Sequence, residues 1–187
     1  DGVASSNPSA GRCTATISRN GDLVHRMYLE IDGTPNDDSA NINAAAITDI
    51  EIEIGGQSID KQTGQWMNVW SHLTEPNPSG HVGQVDSDSA NGTLFQNMAH
   101  MGGAFTDSNG VGLKTFVPLQ FWFCRNPGLS LPLIALQYHE VKIILNHNFG
   151  VTGNNGNNVY GALTSNKLWA DYIYLDTDER RRFAQVS

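Results

Sequence analysis

An alternation of apolar and polar residues near the start of the chain predicts a pair of strands. It covers Arg12 to Ser18 and Leu23 to Ile31, and Asn20-Gly21 between them is typical of a two-residue hairpin turn. His25 falls on the apolar face of the second strand. We interpret it as a core histidine with a hydrogen-bonded ring, while a metal ligand or catalytic base is the functional alternative.

A second alternating segment, Ile47 to Ile54, places isoleucines on one face and acidic residues on the other. Gly55-Gly56 ends this strand, and Gln57 to Lys61 is predicted as a short return strand. We interpret the acidic face as a solvated sheet edge that prevents aggregation between sheets. A carboxylate cluster for a metal or for acid-base chemistry is the alternative.

The period then changes, and a helix of about three turns is predicted from Thr63 to Leu73. The apolar residues that recur at the spacing of one helix face are Trp66, Val69, Trp70 and Leu73. Thr63 is the predicted N-cap. We expect the stripe to pack this helix onto a sheet, although two tryptophans on one face could instead stack against a sugar or a base.

The longest apolar stretch lies in the middle of the chain. Leu113 to Cys124 is predicted as a strand covered on both faces, in which Pro118 marks an edge or a bulge and Gln120 to Cys124 carry the regular pairing. The sequence RNPG at 125–128 then predicts a reversal of the chain, with its glycine free to adopt positive φ. The apolar connection that follows is too short and too rich in proline for a good helix.

The last third of the chain predicts two further strands and a helix. Tyr138 to Leu145 alternates apolar and polar residues, and Lys167 to Asp176 is the last predicted strand. Asp176 and Glu179 have the spacing of a capping box, so we expect a short helix through the three consecutive arginines that follow. Acidic residues precede these arginines, which favours a charge-balanced helix over a nucleic-acid site.

Long polar loops separate the predicted strands. Thr93 to Met101 is predicted as a short helix within one loop, and Gly150 to Asn158 as an exposed loop tip. Asn91-Gly92-Thr93 has the form of an N-glycosylation acceptor, although no secretory signal segment opens the chain. With 187 residues, 19 glycines and only 16% charged residues, the chain predicts a single all-β domain with about six or seven strands in two antiparallel sheets.

The charge and the cysteines narrow the classes of function. A formal charge of −8 disfavours direct nucleic-acid binding. Cys13 and Cys124 have no metal-ligand spacing, and we interpret them as two buried thiols in a reducing compartment, with a disulfide left open. No run of ~20 apolar residues predicts a membrane span. No G-x-S-x-G or phosphate-loop motif predicts an enzyme.

Four segments resemble one known family in the same order. The segment PLQFWFCRNPGLSLPLIALQYHEVKI at 118–143 closely resembles the signature of the major capsid proteins of nucleocytoplasmic large DNA viruses. The other three are TISRNGDLVHRMYLEI at 16–31, IEIGGQSIDKQTGQWMNVWSHLT at 52–74 and DYIYLDTDERRRFAQ at 171–185. Together they cover roughly half of the chain, and four collinear matches are far more specific than one short motif.

The resemblance implies a structural capsid protein with a jelly-roll β-sandwich and no catalytic, cofactor-binding or metal-binding residues. Residues 1–187 would be the N-terminal roll of a longer protein, truncated at both ends, with 177–187 beginning the connection to a second roll. The resemblance also implies a homotrimer that contacts neighbouring capsomers and minor capsid proteins in an icosahedral shell. The trimer contacts are expected in the long loops and the helix around Trp66 and Trp70.

The same resemblance leads us to expect the protein in the virion, after assembly in the host cytoplasm. Neither direct nucleic-acid contact nor membrane insertion is expected, and glycans on the loops remain open. A complete roll has eight strands. If one of them precedes the chain, the edge of Leu168 to Leu175 should lack a partner, and the isolated chain should aggregate when concentrated.

Two alternatives from other classes compete with the capsid hypothesis. A carbohydrate-binding jelly-roll lectin would use Trp66, Trp70 or Trp122 as a stacking platform. A cupin-type metal enzyme would need clustered ligands, such as a His-x-His pair with a downstream glutamate. The histidines at 25, 72, 81, 100, 139 and 147 contain no such pair.

Overall fold

The computed structural model describes residues 9–35, 46–74, 113–150 and 160–186. The described strands are β1 (Ala10–Thr16), β2 (Leu23–Pro35), β3 (Ile47–Ile54), β4 (Gln57–Thr63), β5 (Leu113–Pro118), β6 (Leu131–Pro132), β7 (Val141–Asn148) and β8 (Tyr160–Ile173). The helices are α1 (Gly64–Thr74), α2 (Trp122–Arg125) and α3 (Thr177–Val186), and a 3-10 turn covers Pro127–Leu129. The helix predicted at Thr93–Met101, the glycosylation motif at Asn91 and the loop tip beyond Gly150 lie outside the described residues.

The strands form two antiparallel sheets that pack face to face. The first sheet has the order β1-β7-β3-β4. In the second sheet, β2 pairs with β8 along one side and with β5 and β6 along the other. Fully buried side chains from both sheets meet between them, among them Met27, Ile31, Ile50, Ile52 and Phe149. The fold is the predicted jelly-roll β-sandwich.

The link between β1 and β2 crosses from one sheet to the other, so the hairpin predicted at Asn20-Gly21 is wrong. β1 pairs with β7, and the chain enters the second sheet where the N–H of Asp22 donates to the carbonyl of Ile173 (3.2 Å). Gly21 fits this corner because a Cβ there would lie 2.7 Å from the Cβ of Tyr172. A dipeptide typical of hairpins here permits a close approach between the link and β8.

The apolar segment after β5 is not a strand. β5 ends at Pro118 and the chain turns into α2, so the regular pairing predicted for Gln120 to Cys124 is wrong. Phe121 and Phe123 are fully buried and stack with their ring centroids 5.8 Å apart. The run is apolar on every side because it lies between the two sheets, and apolarity alone does not distinguish this from a doubly covered strand.

Hydrogen bonds tie this segment to both sheets. Gln62 on β4 donates from Nε2 to the carbonyl of Gln120 at 2.9 Å. On the opposite sheet, Nδ1 of His25 lies 2.8 Å from the carbonyl oxygen of Phe123. His25 is buried, so its interpretation as a core histidine with a hydrogen-bonded ring is confirmed. The polar side chains on the two inner faces therefore fix the segment that closes the sandwich.

Two of the predicted turns are confirmed. The reversal at 125–128 is a 3-10 turn in which the side chain of Asn126 accepts the N–H of Gly128 at 2.9 Å. Positive φ is found instead between β3 and β4, at Gly55 (59°) and Gly56 (84°). Only glycine adopts such angles without strain, and this explains the Gly-Gly pair at that hairpin.

The acidic face of β3 is not a sheet edge, because β3 lies between β7 and β4. The side chain of Asp49 is only 13% exposed and forms an ion pair with Lys61 on β4 at 3.2 Å. Its carboxylate also accepts a hydrogen bond from Asn146 on β7 at 2.6 Å. The interpretation of this face as a solvated edge is therefore wrong, since the carboxylate links three strands of the first sheet.

The turn before β7 is held by Arg19 from the link between the sheets. Its guanidinium donates to the carbonyls of Leu136 (2.8 Å) and His139 (3.1 Å). β7 begins at Val141, after the predicted start at Tyr138. The residues just before the strand are thus hydrogen-bonded to a side chain that is distant in sequence, which the local pattern does not show.

β8 is the longest described strand and begins well before its predicted start at Lys167. It pairs antiparallel with β2 along almost its whole length. Its other side has no strand partner within the described residues. The strand ends at Ile173, and the open edge expected at Leu168 to Leu175 stays a prediction.

Helix α3 begins as predicted, with the N–H of Glu179 donating to the side chain of Asp176 at 2.8 Å. Asp22 fixes the start of the helix to the sandwich. Its carboxylate accepts the N–H of Leu175 at 2.8 Å and the Nε–H of Arg180 at 2.9 Å. The hydrogen bond from Leu175 and the adjacent Arg180 guanidinium lower the pKa of Asp22.

Candidate assembly surface

Helix α1 carries apolar residues on a face that does not contact the sandwich. Thr63 caps it as predicted and accepts the N–H of Trp66 at 3.1 Å. Met67 is fully buried, whereas Trp66 is 42%, Val69 44% and Leu73 73% exposed. The prediction that the tryptophan stripe packs the helix onto a sheet is therefore wrong, because the helix packs against β3 and β4 through another face.

The exposed residues Trp66, Val69 and Leu73 form what we call the α1 stripe. The Trp66 ring also contacts Trp70, with centroids 5.6 Å apart and planes tilted by 36°. Single exposed apolar residues are ordinary, but a contiguous row of them on one helix face is typical of a surface that binds another molecule. The stripe is therefore a candidate interaction surface.

A pocket of about 390 Å³ opens next to α1, between this helix, β2 and the segment that leads into α2. We call it the arginine pocket; its lining includes Arg26, Tyr28, Trp70, Gln120 and Arg125. Arginine, tryptophan and tyrosine are the residues enriched at the centres of protein interfaces. Trp70 lines the pocket and contacts Trp66 of the α1 stripe, so the pocket is continuous with the stripe.

Two separate features bring the arginines together. Arg26 lies where the pairing of β2 with β8 is interrupted just before Met27, and such irregularities redirect side chains. Arg125 ends α2, and its Nε–H donates to the carbonyl of Gln120 at 3.0 Å. Its guanidinium carbon lies 4.6 Å from the centre of the Trp70 ring, a cation–π geometry. Arg125 is thus held in place before any partner binds.

Neither arginine stood out in the sequence. Arg125 directly follows an aromatic run, which was a weak local signal, but its neighbour Arg26 is about a hundred residues away and is brought close only by the fold. Burial raises the pKa of the Cys124 thiol to about 12, although the charges of the two guanidinium groups favour a lower pKa. Cys124 therefore stays protonated and inert at neutral pH.

The three tryptophans of the lectin hypothesis do not form one open platform. Trp66 and Trp70 are neighbours on α1, but their rings are tilted and Arg125 covers one face of Trp70. Trp122 is half-buried and packs edge-on against Phe123 with centroids 5.1 Å apart. Sugar stacking requires a flat, open aromatic face, so this geometry favours protein contacts over sugar binding.

Cys13 and His147 are the second candidate for a reactive cysteine, because Sγ of Cys13 lies 3.5 Å from Nε2 of His147. Burial raises the pKa of Cys13 and lowers that of His147, so both groups remain neutral. An activated thiolate requires the opposite shifts. His147 also stacks on Phe149 with centroids 4.5 Å apart, and we therefore assign the pair to the core. Both cysteines are free thiols, as interpreted from the sequence, but only Cys124 is buried and Cys13 is partly exposed.

Neither a metal site nor a basic nucleic-acid surface is supported by the residues that the structure describes. Within the four described ranges, no group of three or more His, Cys, Asp or Glu side chains is placed to hold a metal ion. Of the consecutive arginines in α3, Arg180 binds Asp22 and Arg181 lies 3.9 Å from Asp178. No helix in the described part of the chain is long and apolar enough to cross a membrane.

Residues 4–176 match the family model described as the major capsid protein N-terminus. The chain belongs to the major capsid protein family. It is 49% identical over 189 residues to the major capsid protein of Pyramimonas orientalis virus. That alignment covers 96% of this chain and 44% of that protein. It is 36% identical over 182 residues to the major capsid protein of Paramecium bursaria Chlorella virus 1. That alignment covers 94% of this chain and 38% of that protein.

A solved structure of the PBCV-1 virus capsid superposes with a TM-score of 0.74 at 31% identity, covering 98% of this chain and 44% of that chain. The resemblance seen in the sequence and the jelly-roll fold it implied are confirmed. These relatives are capsid proteins rather than enzymes, and they lend no support to the lectin hypothesis. The chain spans less than half the length of each major capsid protein named here.

Proposed function

We propose that this chain is part of a major capsid protein that builds the outer icosahedral shell of a large double-stranded DNA virus as a homotrimeric capsomer. Membership of the family, over residues 4–176, is the observation that carries the proposal. The α1 stripe supports it, because an apolar helix face left open by the fold favours a further protein contact. Shell building requires large protein contacts, and no chemistry at a catalytic or metal site is proposed.

The test is the mass and the shape of the full-length protein. Light scattering should give three times the monomer mass, and electron microscopy should show pseudo-hexagonal particles about the size of one capsomer. Subunit interfaces of this permanent kind bury roughly 2,000 Å² or more in total, so the trimer should persist at micromolar concentration. A monomer under assembly conditions would contradict the proposal.

We further propose that residues 1–187 are the N-terminal roll and that 177–187 begin the connection to a second roll. The family match ends at residue 176, directly before α3 starts at Thr177, and this supports the boundary. The side of β8 that has no strand partner among the described residues supports a further strand supplied by residues upstream of Asp1. Restoring those residues should raise the solubility of the chain, whereas a chain that stays monomeric when concentrated, with a sharp melt, would contradict this.

The expected setting of the protein follows from the same family. We propose the virion as its location, assembly in the host cytoplasm, and contacts with neighbouring capsomers and minor capsid proteins. Two free thiols fit a reducing compartment such as the cytoplasm. The charge of −8 is unfavourable for direct contact with the packaged nucleic acid. Mass spectrometry of purified virions would test the location and would detect any glycan on Asn91.

A further inference from the structure

The arginine pocket is a local concentration of positive charge on an acidic chain. The chain has 11 basic and 19 acidic residues, yet two arginines, Arg26 and Arg125, line one pocket. Both are exposed, and within the described residues neither guanidinium lies within 4 Å of a carboxylate. In contrast, Arg180 has its carboxylate partner, Asp22, at 2.8 Å. The pocket therefore offers a charge that the described part of the chain does not neutralise.

The pocket is also prepared to bind a planar anion. Arg125 is fixed by its hydrogen bond to Gln120 and by its position over Trp70, so little conformational entropy would be lost when a ligand binds. A guanidinium presents paired N–H groups that match the two oxygens of a carboxylate. Arg26 also lines the pocket, so a second guanidinium is available to the same acidic side chain.

The surroundings of the pocket favour a protein as the source of that carboxylate. The α1 stripe adds apolar surface beside the pocket, and apolar surface around a desolvated charge pair is the usual organisation of a protein interface. A nucleic acid would require a longer basic track than two arginines. The chain itself carries exposed carboxylates, such as Asp178 with an 86% exposed side chain, so a second copy is electrostatically complementary to the pocket.

We propose that the arginine pocket receives an acidic side chain from a neighbouring copy of the same chain, with the α1 stripe packed around it. This inference rests on the proposed trimer and assigns one of its contact surfaces. A basic pocket on one copy and an acidic residue on the next make a head-to-tail contact, and such contacts close into rings when the rotation allows. One face of each subunit would then bind the opposite face of the next.

The experiment uses the full-length protein and three variants. Arg26→Glu with Arg125→Glu reverses the pocket charge. Arg26→Lys with Arg125→Lys keeps the charge but removes the paired N–H geometry. Arg12→Glu is the matched control, since Arg12 is an exposed arginine on β1 in the opposite sheet. Sedimentation velocity across a dilution series gives the trimer dissociation constant of each protein, and circular dichroism melting confirms that each is folded.

We expect the double glutamate variant to associate at least ~100-fold more weakly than wild type, since like charges replace a paired charge at the interface. The double lysine variant should associate about 10-fold more weakly, and Arg12→Glu should match wild type. Independently of any variant, dissociation of the wild-type trimer should increase as sodium chloride rises from about 0.05 to 0.5 M, because salt screens the contact.

Several results would overturn the inference. A folded double glutamate variant that trimerises as well as Arg12→Glu would show that the pocket is outside the trimer contact. Trimers that form normally but fail to build shells would assign the pocket to another partner. A monomeric wild-type protein would overturn both the proposed trimer and this inference. If the wild type is a trimer and the double glutamate variant also trimerises normally, only this inference fails and the proposed function stands.

Discussion

Helices α1 and α3 are held to the same sandwich in opposite ways. α1 is anchored by a buried apolar side chain, Met67, and presents the α1 stripe outward. α3 is anchored by an ion pair and hydrogen bonds between Arg180 and Asp22, and its remaining described side chains are mostly polar and exposed. Both begin at a side chain that caps them, Thr63 or Asp176.

Hydration is favourable for the polar surface of α3 and unfavourable for the apolar surface of α1. Exposed polar side chains on α3 remain hydrated, so this helix needs no partner beyond its anchor. The α1 stripe keeps apolar area in water, at roughly 25 cal/mol for each Å² that a partner could cover. A protein contact would therefore stabilise the surface of α1 more than that of α3.

The largest effect is expected from the anchor of α1. Met67→Ala should lower the free energy of unfolding by about 3 kcal/mol, because it removes a fully buried side chain and leaves a cavity. Leu73→Ala, on the exposed stripe of the same helix, should change it by less than about 0.5 kcal/mol. Urea unfolding of the dilute 187-residue chain measures both. Equal losses would mean that both faces of α1 are packed.

The anchor of α3 should come next. Asp22→Asn removes the charge that binds Arg180 and weakens the acceptor for Leu175, and should lower the Tm by roughly 5 °C. Differential scanning calorimetry of the chain measures this, and Asp178→Asn, at an exposed carboxylate on the same helix, is the control. If both variants melted together with wild type, α3 would not be anchored through Asp22.

The Asp22 anchor should also depend on pH in a defined direction. The folded pKa of Asp22 is lowered, so its contribution to stability is fully present above the unfolded value near ~3.9 and is lost as pH falls through the folded value. The Tm difference between wild type and Asp22→Asn should be constant from pH 7 to about 5 and should shrink below about pH 4. A difference that widened in acid would contradict this assignment.

The two helix caps should have smaller and similar effects. Thr63→Ala and Asp176→Ala each remove the acceptor for one N–H in the first helical turn, and each should lower stability by about 1 kcal/mol. Glycine at the same positions should cost only a few tenths of a kcal/mol. Urea unfolding of the four variants would show whether capping contributes equally to a helix with an apolar anchor and to one with a polar anchor.

The smallest effect is expected from Arg181→Ala on α3. Its Nη1 lies 3.9 Å from the Asp178 carboxylate, and the two side chains are 74% and 86% exposed. Exposed pairs with such geometry contribute little because both ions stay hydrated. The Tm should not change measurably, and a clear drop would show that α3 is held by more than Arg180.

Local chemistry was enough to predict both helices. The apolar period after Thr63 and the Asp176–Glu179 spacing located α1 and α3 together with their caps. Local chemistry did not predict which face of α1 is buried, because that depends on β3 and β4 rather than on the helix. A helix with a core-facing stripe and one with a partner-facing stripe have the same period.

The pairing of the strands was likewise not predictable from local sequence. Strand alternation located β3 correctly, but the neighbours of each strand are non-local, so the link at Asn20-Gly21 was predicted as a hairpin and joins two sheets instead. The arginine pocket depends on the same kind of information. Arg26 and Arg125 meet only because an interruption in β2 and the end of α2 are neighbours in the folded chain.

The pairing of β2 with β8 has a consequence for synthesis of the protein on the ribosome. The hydrogen bond from Trp169 to Glu30 joins residues 139 positions apart, so β2 is made long before its main partner. At about 5–20 residues per second, that interval is roughly 7–30 s. Apolar residues such as Met27 and Ile31, fully buried in the folded chain, lack β8 throughout this interval. β2 is therefore a segment that a ribosome-bound chaperone would shield during synthesis.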